Sequence, residues 1–297
     1  MKSEDRTYRW TTGVFALLVI MVVAAIGFEL ARQSLLSIQK FGFGFWKGKI
    51  WDPVSGDFGA LPFIWGTLYS SILALLVAAP VSLGIAIYIN EVSPRFLKQP
   101  LTYLTELLAA IPSIVYGLWG IFVLVPIVRR VELLRPDWLA RVPLFSGPPF
   151  GVGMGAAALI LALMIIPFSS SVAREILKGV PMNQREAAYA LGATRWEAIR
   201  IALGYGKSGI LGALMLGFGR ALGETMAVTM VIGNNPQISA SLVAPQYTMA
   251  AVIANEFTEA ADALYLQALI EIGLVLFIIT IVINALSRLM IWRMARA

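Results

Sequence analysis

Six apolar stretches alternate with short polar breaks along the 297 residues. The first, Gly13–Phe28, follows a basic start (Lys2, Arg6, Arg9) and is closed by Glu29 and Arg32. Such a start resembles a secretion signal, but no small-x-small cleavage site follows. The run is therefore read as an uncleaved spanning helix. The others run from about Trp65 to Ile89, Leu104 to Val128, Gly151 to Val172, Gly209 to Gly233 and Leu264 to Leu286. Each approaches or exceeds the ~20 residues a helix needs to cross ~30 Å of hydrocarbon. Pro80, Pro112, Pro126 and Pro167 fall inside these runs. Neighbouring helices in a membrane can satisfy the carbonyls that proline frees, so kinks are expected there. The fold class is an all-α membrane protein with six transmembrane helices.

Two polar breaks have their own pattern. Residues 34–63 are rich in glycine and aromatics, which suits a surface loop whose Phe and Trp side chains sit in a membrane-interface belt. Pro181–Gly204 reads as two short helices. Asn183 with Glu186, and Thr194 with Glu197, both have capping-box spacing. Gly192 between them marks an elbow that requires positive φ. Ala187, Ala188 and Leu191 give the first helix a small, smooth face, and Trp196, Ile199 and Leu203 give the second a stripe. Alanines offer little area to lipid but admit a partner's backbone closely, so a protein groove fits this surface better than a lipid surface does.

Composition narrows the chemistry. The chain is 59% hydrophobic and 13% charged, with no histidine and no cysteine. Ser-His-Asp hydrolysis, thiol nucleophiles and thiolate zinc sites are thereby disfavoured. Nothing pairs carboxylates for acid–base work, and Glu271 in the sixth span is expected to pack against a polar partner. The net charge of +6 reads as basic cytoplasmic loops of a membrane protein, with no nucleic acid implied. With the N-terminus inside, fourteen Lys and Arg fall in cytoplasmic segments and eight outside. Arg220 belongs to neither group. It lies within the fifth span, four residues before Glu224, among the glycines at 217, 219 and 223.

A charge at the bilayer centre costs ~2.5–3.5 kcal/mol on insertion scales, so Arg220 and Glu224 face protein or water. Two readings stand: an intrahelical pair that pins packing, or an anion-passing arginine with a carboxylate that positions or competes for the anion. Gly206-Lys207-Ser208 matches the end of a phosphate-binding loop, but Ile201 occupies the first glycine's place and no strand precedes it. Lys207 is read as an interfacial anchor. ATP, if it drives the protein, binds elsewhere.

The sequence Glu186-Ala187-Ala188, followed by Gly192, resembles the EAA loop of ABC-importer permeases. LLAAIPSIVYGLWGIFVL at 107–124, MIIPFSSSVAREI at 164–176, ALGATRWEAIR at 190–200 and MLGFGRALGETMAVTMVIGN at 215–234 extend the resemblance over nearly the whole chain. They are similar to the PstC family of phosphate-importer permeases. The resemblance implies a type I ABC-importer permease fold with a cytoplasmic coupling helix, residues 1–63 forming a tail, first span and external loop, and 64–297 the permease core with coupling helices at 181–204. It implies a PstA-like permease partner, a PstB-like ATPase dimer that binds ATP and Mg, and a PstS-like phosphate-binding protein. Location in a bacterial or archaeal inner membrane follows from the same likeness, and the charge count above supports both termini being cytoplasmic. Glu186, Ala187, Ala188, Gly192 and Trp196 are then the residues that couple to the ATPase, and Arg220 and Glu224 line the phosphate pathway. The chain itself carries no cofactor and is not an enzyme. Rival readings are a permease for molybdate or sulfate, or an ATP-independent anion carrier. One departure stands out: eight residues, one fewer than the family pattern, separate Gly192 from Ile201-Ala202-Leu203, and Gly204 replaces a proline. The second helix is expected to end differently.

Overall fold

The computed structural model describes residues 3–296; Met1, Ala297 and Lys2, counted above among the basic residues, lie outside them. The chain opens with α1 (Ser3–Gln33), a single 31-residue helix around the first apolar run. Two short helices, α2 (Leu35–Phe41) and α3 (Gly44–Lys47), lead into a small antiparallel ladder of β1 (Trp51–Asp52) and β2 (Asp57–Phe58). The second span is α4 (Leu61–Ile87), which widens into a π-helical turn at Tyr88–Val92. Pro80 is accommodated inside it without a break.

The third span differs from expectation. Residues 104–110 belong to a separate amphipathic helix, α5 (Arg95–Ala110), and the spanning segment starts only at Ser113. Proline disfavours the helical conformation in the residue before it, and Ile111 adopts ψ 130°. Past that corner, α6 (Ser113–Trp119), a π turn at Gly120–Leu124 and α7 (Val125–Leu133) form one continuous span that absorbs Pro126. The short α8 (Asp137–Ala140) and a 3-10 turn at Pro143–Phe145 follow. The fourth span, α9 (Met154–Lys178), contains Pro167 and is the most enclosed of all.

After α9 come α10 (Met182–Ala190) and α11 (Arg195–Tyr205), the two helices expected around Gly192. The fifth span is interrupted: α12 (Lys207–Leu222) stops at Gly223, and α13 (Met226–Val231) continues after Thr225. The last stretch holds α14 (Met249–Glu256) and α15 (Ala263–Arg296). Among the described residues, five helices are long and apolar enough to cross a membrane. Counting the pair α11–α12, bent by 69° at Gly206, as one broken span gives six. The chain is a multi-pass membrane protein.

The core explains this arrangement. Ala74 and Ala78 of α4 let that helix lie close against α9, where Ile160, Leu161 and Ile165 are fully enclosed together with Ala227, Val228 and Val231 of α13. A second cluster corrects the loop expectation. Phe45, Phe58 and Phe63 are not interface anchors but buried, packed with Tyr247, Leu269 and Ile272. Trp51 crosses Phe58 and Phe63 edge-on, with ring centroids 4.8 and 4.9 Å away. Aromatic area of this size stabilises the loop as a cap over one end of the bundle. A third, smaller cluster of Ala86, Ala173, Leu177, Ile210 and Ala213 closes the other end beneath α10 and α11.

Close backbone approach fixes the α4 position. A Cβ at Gly66 would stand 2.1 Å from the Tyr247 carbonyl oxygen, and a backbone atom cannot rotate aside. Gly66→Ala is therefore expected to destabilise the fold by roughly 1–3 kcal/mol or more, as overpacked cores do. A lowered melting temperature of the detergent-purified variant would show it; unchanged melting would contradict this packing.

Candidate functional site

Two places hold the residues singled out by sequence, at different levels of the bundle. The first is the elbow between α10 and α11. Gly192 adopts φ +82°, the left-handed region expected for it, and a Cβ there would meet nothing within 4 Å. Backbone conformation alone thus restricts the position. Thr194 caps α11 in a complete capping box: its hydroxyl accepts from the Glu197 N–H, and the Glu197 carboxylate accepts from the Thr194 N–H at 2.7 Å. The other expected box is absent. Pro181, at φ −57° and ψ 136°, takes the cap position of α10, so Asn183 is already inside the helix and its side chain caps nothing.

The capping box also sets a pH dependence. The Thr194 N–H, with its hydroxyl second, holds the Glu197 carboxyl below the usual carboxylate range. A depressed folded value means the contribution is fully present above the unfolded carboxylate range and is lost as pH falls through the folded value. Thr194→Ala should cost about 1 kcal/mol of helix stability. Faster amide exchange in the first turn of α11 would register it, and unchanged protection would argue against the cap.

The two expected faces are divided by the fold. Ala188 and Ile199 turn inward, 5% exposed each, while Leu191 is 90% and Trp196 61% exposed. Glu186, Ala187, Leu191, Gly192 and Trp196 therefore form the outward set, and Ala188 holds α10 against the rest of the chain. An open concavity of about 470 Å³ runs beside the elbow, lined by Leu191, Gly192, Ala193, Glu197, Arg200 and Ile201. The shortened second helix does not end at Gly204. It continues to Tyr205, stops at Gly206 and turns directly into α12.

The second place is the break in the fifth span. Arg220 occupies the last turn of α12, and Glu224 lies beyond its end. Loss of helix between them removes the i, i+4 geometry on which an intrahelical pair depends. Among the described residues, no ion pair joins them; both are half-buried. The Arg220 guanidinium carbon instead stands 5.7 Å from the Phe168 ring centroid on α9. Glu224 accepts a hydrogen bond from the Ala227 N–H at 3.3 Å, satisfying one of the free donors that start α13. Glycine is a poor helix former, and a carboxylate placed to receive those donors makes the interruption a stable one. Of the three local glycines only Gly217 serves close packing, since a Cβ there would meet the Ser169 hydroxyl at 2.4 Å and Ile165 at 2.8 Å.

Other sequence expectations resolve simply. Lys207 is exposed at the start of α12. Glu271 is buried beside Ser37 of α2, with one carboxylate oxygen lacking a hydrogen-bond partner among the described residues.

A group that sequence reasoning did not single out joins α4, α5, α9, α10 and α11. Arg185 donates to the Glu91 carboxylate at 2.8 Å and to the Leu177 carbonyl at 2.9 Å. Arg174, only 8% exposed, pairs with Glu106 at 2.9 Å and Glu175 at 3.0 Å and donates to Thr102 at 3.1 Å. Asn90 donates to the Arg174 carbonyl at 3.0 Å. The single signal in the sequence was an acid just past the end of the second span, and nothing there named its partner.

Comparison with known proteins gives one consistent result. Residues 80–296 match the family described as binding-protein-dependent transport system inner membrane component. The phosphate transport system permease protein PstC of Haemophilus influenzae is 47% identical over 296 residues, 98% of this chain and 94% of that one. The PstC of Mesorhizobium japonicum is 45% identical over 295 residues, 97% and 90% of the two chains. In fold the chain resembles a chain of the bacterial alginate ABC transporter, crystallised with an alginate-bound periplasmic protein, at TM-score 0.60 and 18% identity, covering 96% and 94%.

Proposed function

The chain belongs to the binding-protein-dependent inner membrane components, among the PstC phosphate permeases, and from that premise we infer that it is the phosphate-importing permease subunit of an ATP-driven transporter. The observation that carries this reading is near full-length identity of 47% to a phosphate permease. It favours phosphate over molybdate or sulfate, and an ATP-coupled system over an independent carrier. Residues 1–63 would then form the tail, first span and external cap, and 64–297 the transporting core, with both termini cytoplasmic.

The two sites divide the work. α10 and α11 sit on the cytoplasmic side, where Glu186, Ala187, Gly192 and Trp196 meet a PstB-like ATPase that holds ATP and Mg; Ala188 seats the helix that carries them. Exposed Leu191 and Trp196 beside an open concavity are what an apolar docking groove needs. Arg220, without a carboxylate partner among the described residues, offers its guanidinium fork to phosphate as the bundle changes shape. Glu224 keeps the helix interrupted and sets a negative charge nearby, so that phosphate is held weakly enough to leave. A PstA-like permease completes the pathway, and a PstS-like protein delivers phosphate from outside.

The test is uptake of radiolabelled phosphate into liposomes holding all four components, with ATP inside. Uptake that excess sulfate and molybdate leave unchanged is expected. Uptake that needs no ATP, or that molybdate suppresses, would contradict the reading.

A further inference from the structure

The residues around Glu91 carry a further role, which rests on the coupling function just proposed for α10 and α11. Those helices are covalently continuous with α9 and α12 only, so a push on them reaches α4 through side chains alone. Packing of α4 along α9 carries part of it, and Glu91 supplies a direct connection to the elbow itself. It lies in the π-helical turn that ends α4, and both of its polar ends are taken. The carboxylate accepts from Arg185 on α10, and the backbone carbonyl accepts from Arg195 on α11. The two arginines flank the Gly192 elbow, one on each helix.

The pair is also shielded. The Arg185 and Glu91 side chains are 13% and 16% exposed, and Arg185 donates as well to the Leu177 carbonyl at the end of α9. A charge-assisted bond in such a setting is stronger and more sharply oriented than a surface ion pair. The neighbouring Asn90 donates to the Arg174 carbonyl at 3.0 Å, so consecutive residues of α4 hold two different segments. A residue used only to terminate a helix would not need an arginine from each arm of the elbow, one on its carboxylate and one on its backbone carbonyl.

We propose that Glu91 is a positioning residue that clasps the end of α4 to both arms of the coupling elbow, so that the ATPase stroke moves the second span together with α9 and α12. Its loss separates ATP hydrolysis from transport. Glu91→Gln keeps the shape and removes the charge, and phosphate imported per ATP hydrolysed should fall by about tenfold, the scale of one charged hydrogen bond. The ATPase subunit should still co-purify, because the outward docking set is untouched.

Because the chain has no cysteine, Glu91→Cys combined with Arg185→Cys can be bridged selectively by a short bifunctional thiol reagent. Bridging should restore most of the lost import per ATP, and cleaving the bridge should remove it again. Merely repairing a fold would not give that reversible readout. An unchanged ratio in Glu91→Gln, or a bridged pair no better coupled than the unbridged one, would overturn the clasp. Failure of the unsubstituted complex to retain the ATPase would instead remove the coupling reading beneath it, and the clasp with it.

Discussion

Arg220→Gln should abolish measurable phosphate uptake by the reconstituted complex while assembly stays intact. The guanidinium has no carboxylate partner among the described residues; its recorded contact is the Phe168 ring at 5.7 Å. Removing it therefore costs the fold little, on the order of 0.5–1 kcal/mol for a cation–π contact. Transport loses far more. A charged hydrogen bond is worth about 1.5–3 kcal/mol, so losing two from the planar fork lowers the rate by roughly a hundredfold or more. Arg220→Lys keeps the charge without the fork and should retain a small fraction of uptake. Uptake by the Gln variant at the unsubstituted rate would remove Arg220 from the pathway.

Gly192→Val is expected to strip the ATPase from the permease in a pull-down. At φ +82° an L-residue pays about 1–2 kcal/mol, and a β-branched side chain pays more. Nothing lies within 4 Å of where the Cβ would stand, so steric crowding by neighbours contributes no part of the effect. The elbow would open to relieve the strain and carry Leu191 and Trp196 out of register with their groove. Gly192→Asn, tolerant of the left-handed region, should keep most of the binding. Equal co-purification of all three proteins would contradict the docking role.

What could be read from the sequence, and what could not, divides by range. Local chemistry was legible. Thr194 with Glu197 formed the expected box, and Gly192 took positive φ, because each depends on residues within one turn. The spans were legible as well, since hydrophobic length does not depend on neighbours. Breaks inside them were not. Pro112 and Gly223 sit inside apolar runs, as Pro80 does, yet α4 continues while the third and fifth segments stop. The difference at Gly223 lies in Glu224, which offers α13 a new start; hydropathy alone does not register that. Asn183 failed as a cap because Pro181 took the cap position and set the helix start two residues earlier. Phe45, Phe58 and Phe63 read as interface residues because their partners, Tyr247 to Ile272, lie some two hundred positions away. Glu91 and Arg185, 94 positions apart, were missed for the same reason.

The break between Arg220 and Glu224 matters beyond their separation. An unbroken fifth helix would have let the two charges satisfy each other and leave nothing for an anion. The interrupted one assigns Glu224 to a backbone donor and leaves the arginine available. The elbow lies one helix away, across α11 from the start of α12.

The central claim is that an ATPase drives this chain to pass phosphate delivered from outside. ATP hydrolysis by the reconstituted complex, measured with and without phosphate-loaded binding protein, tests it most directly. The rate should rise several-fold with the loaded protein, and far less with the same protein emptied of phosphate. A rate indifferent to the loaded protein would contradict the account.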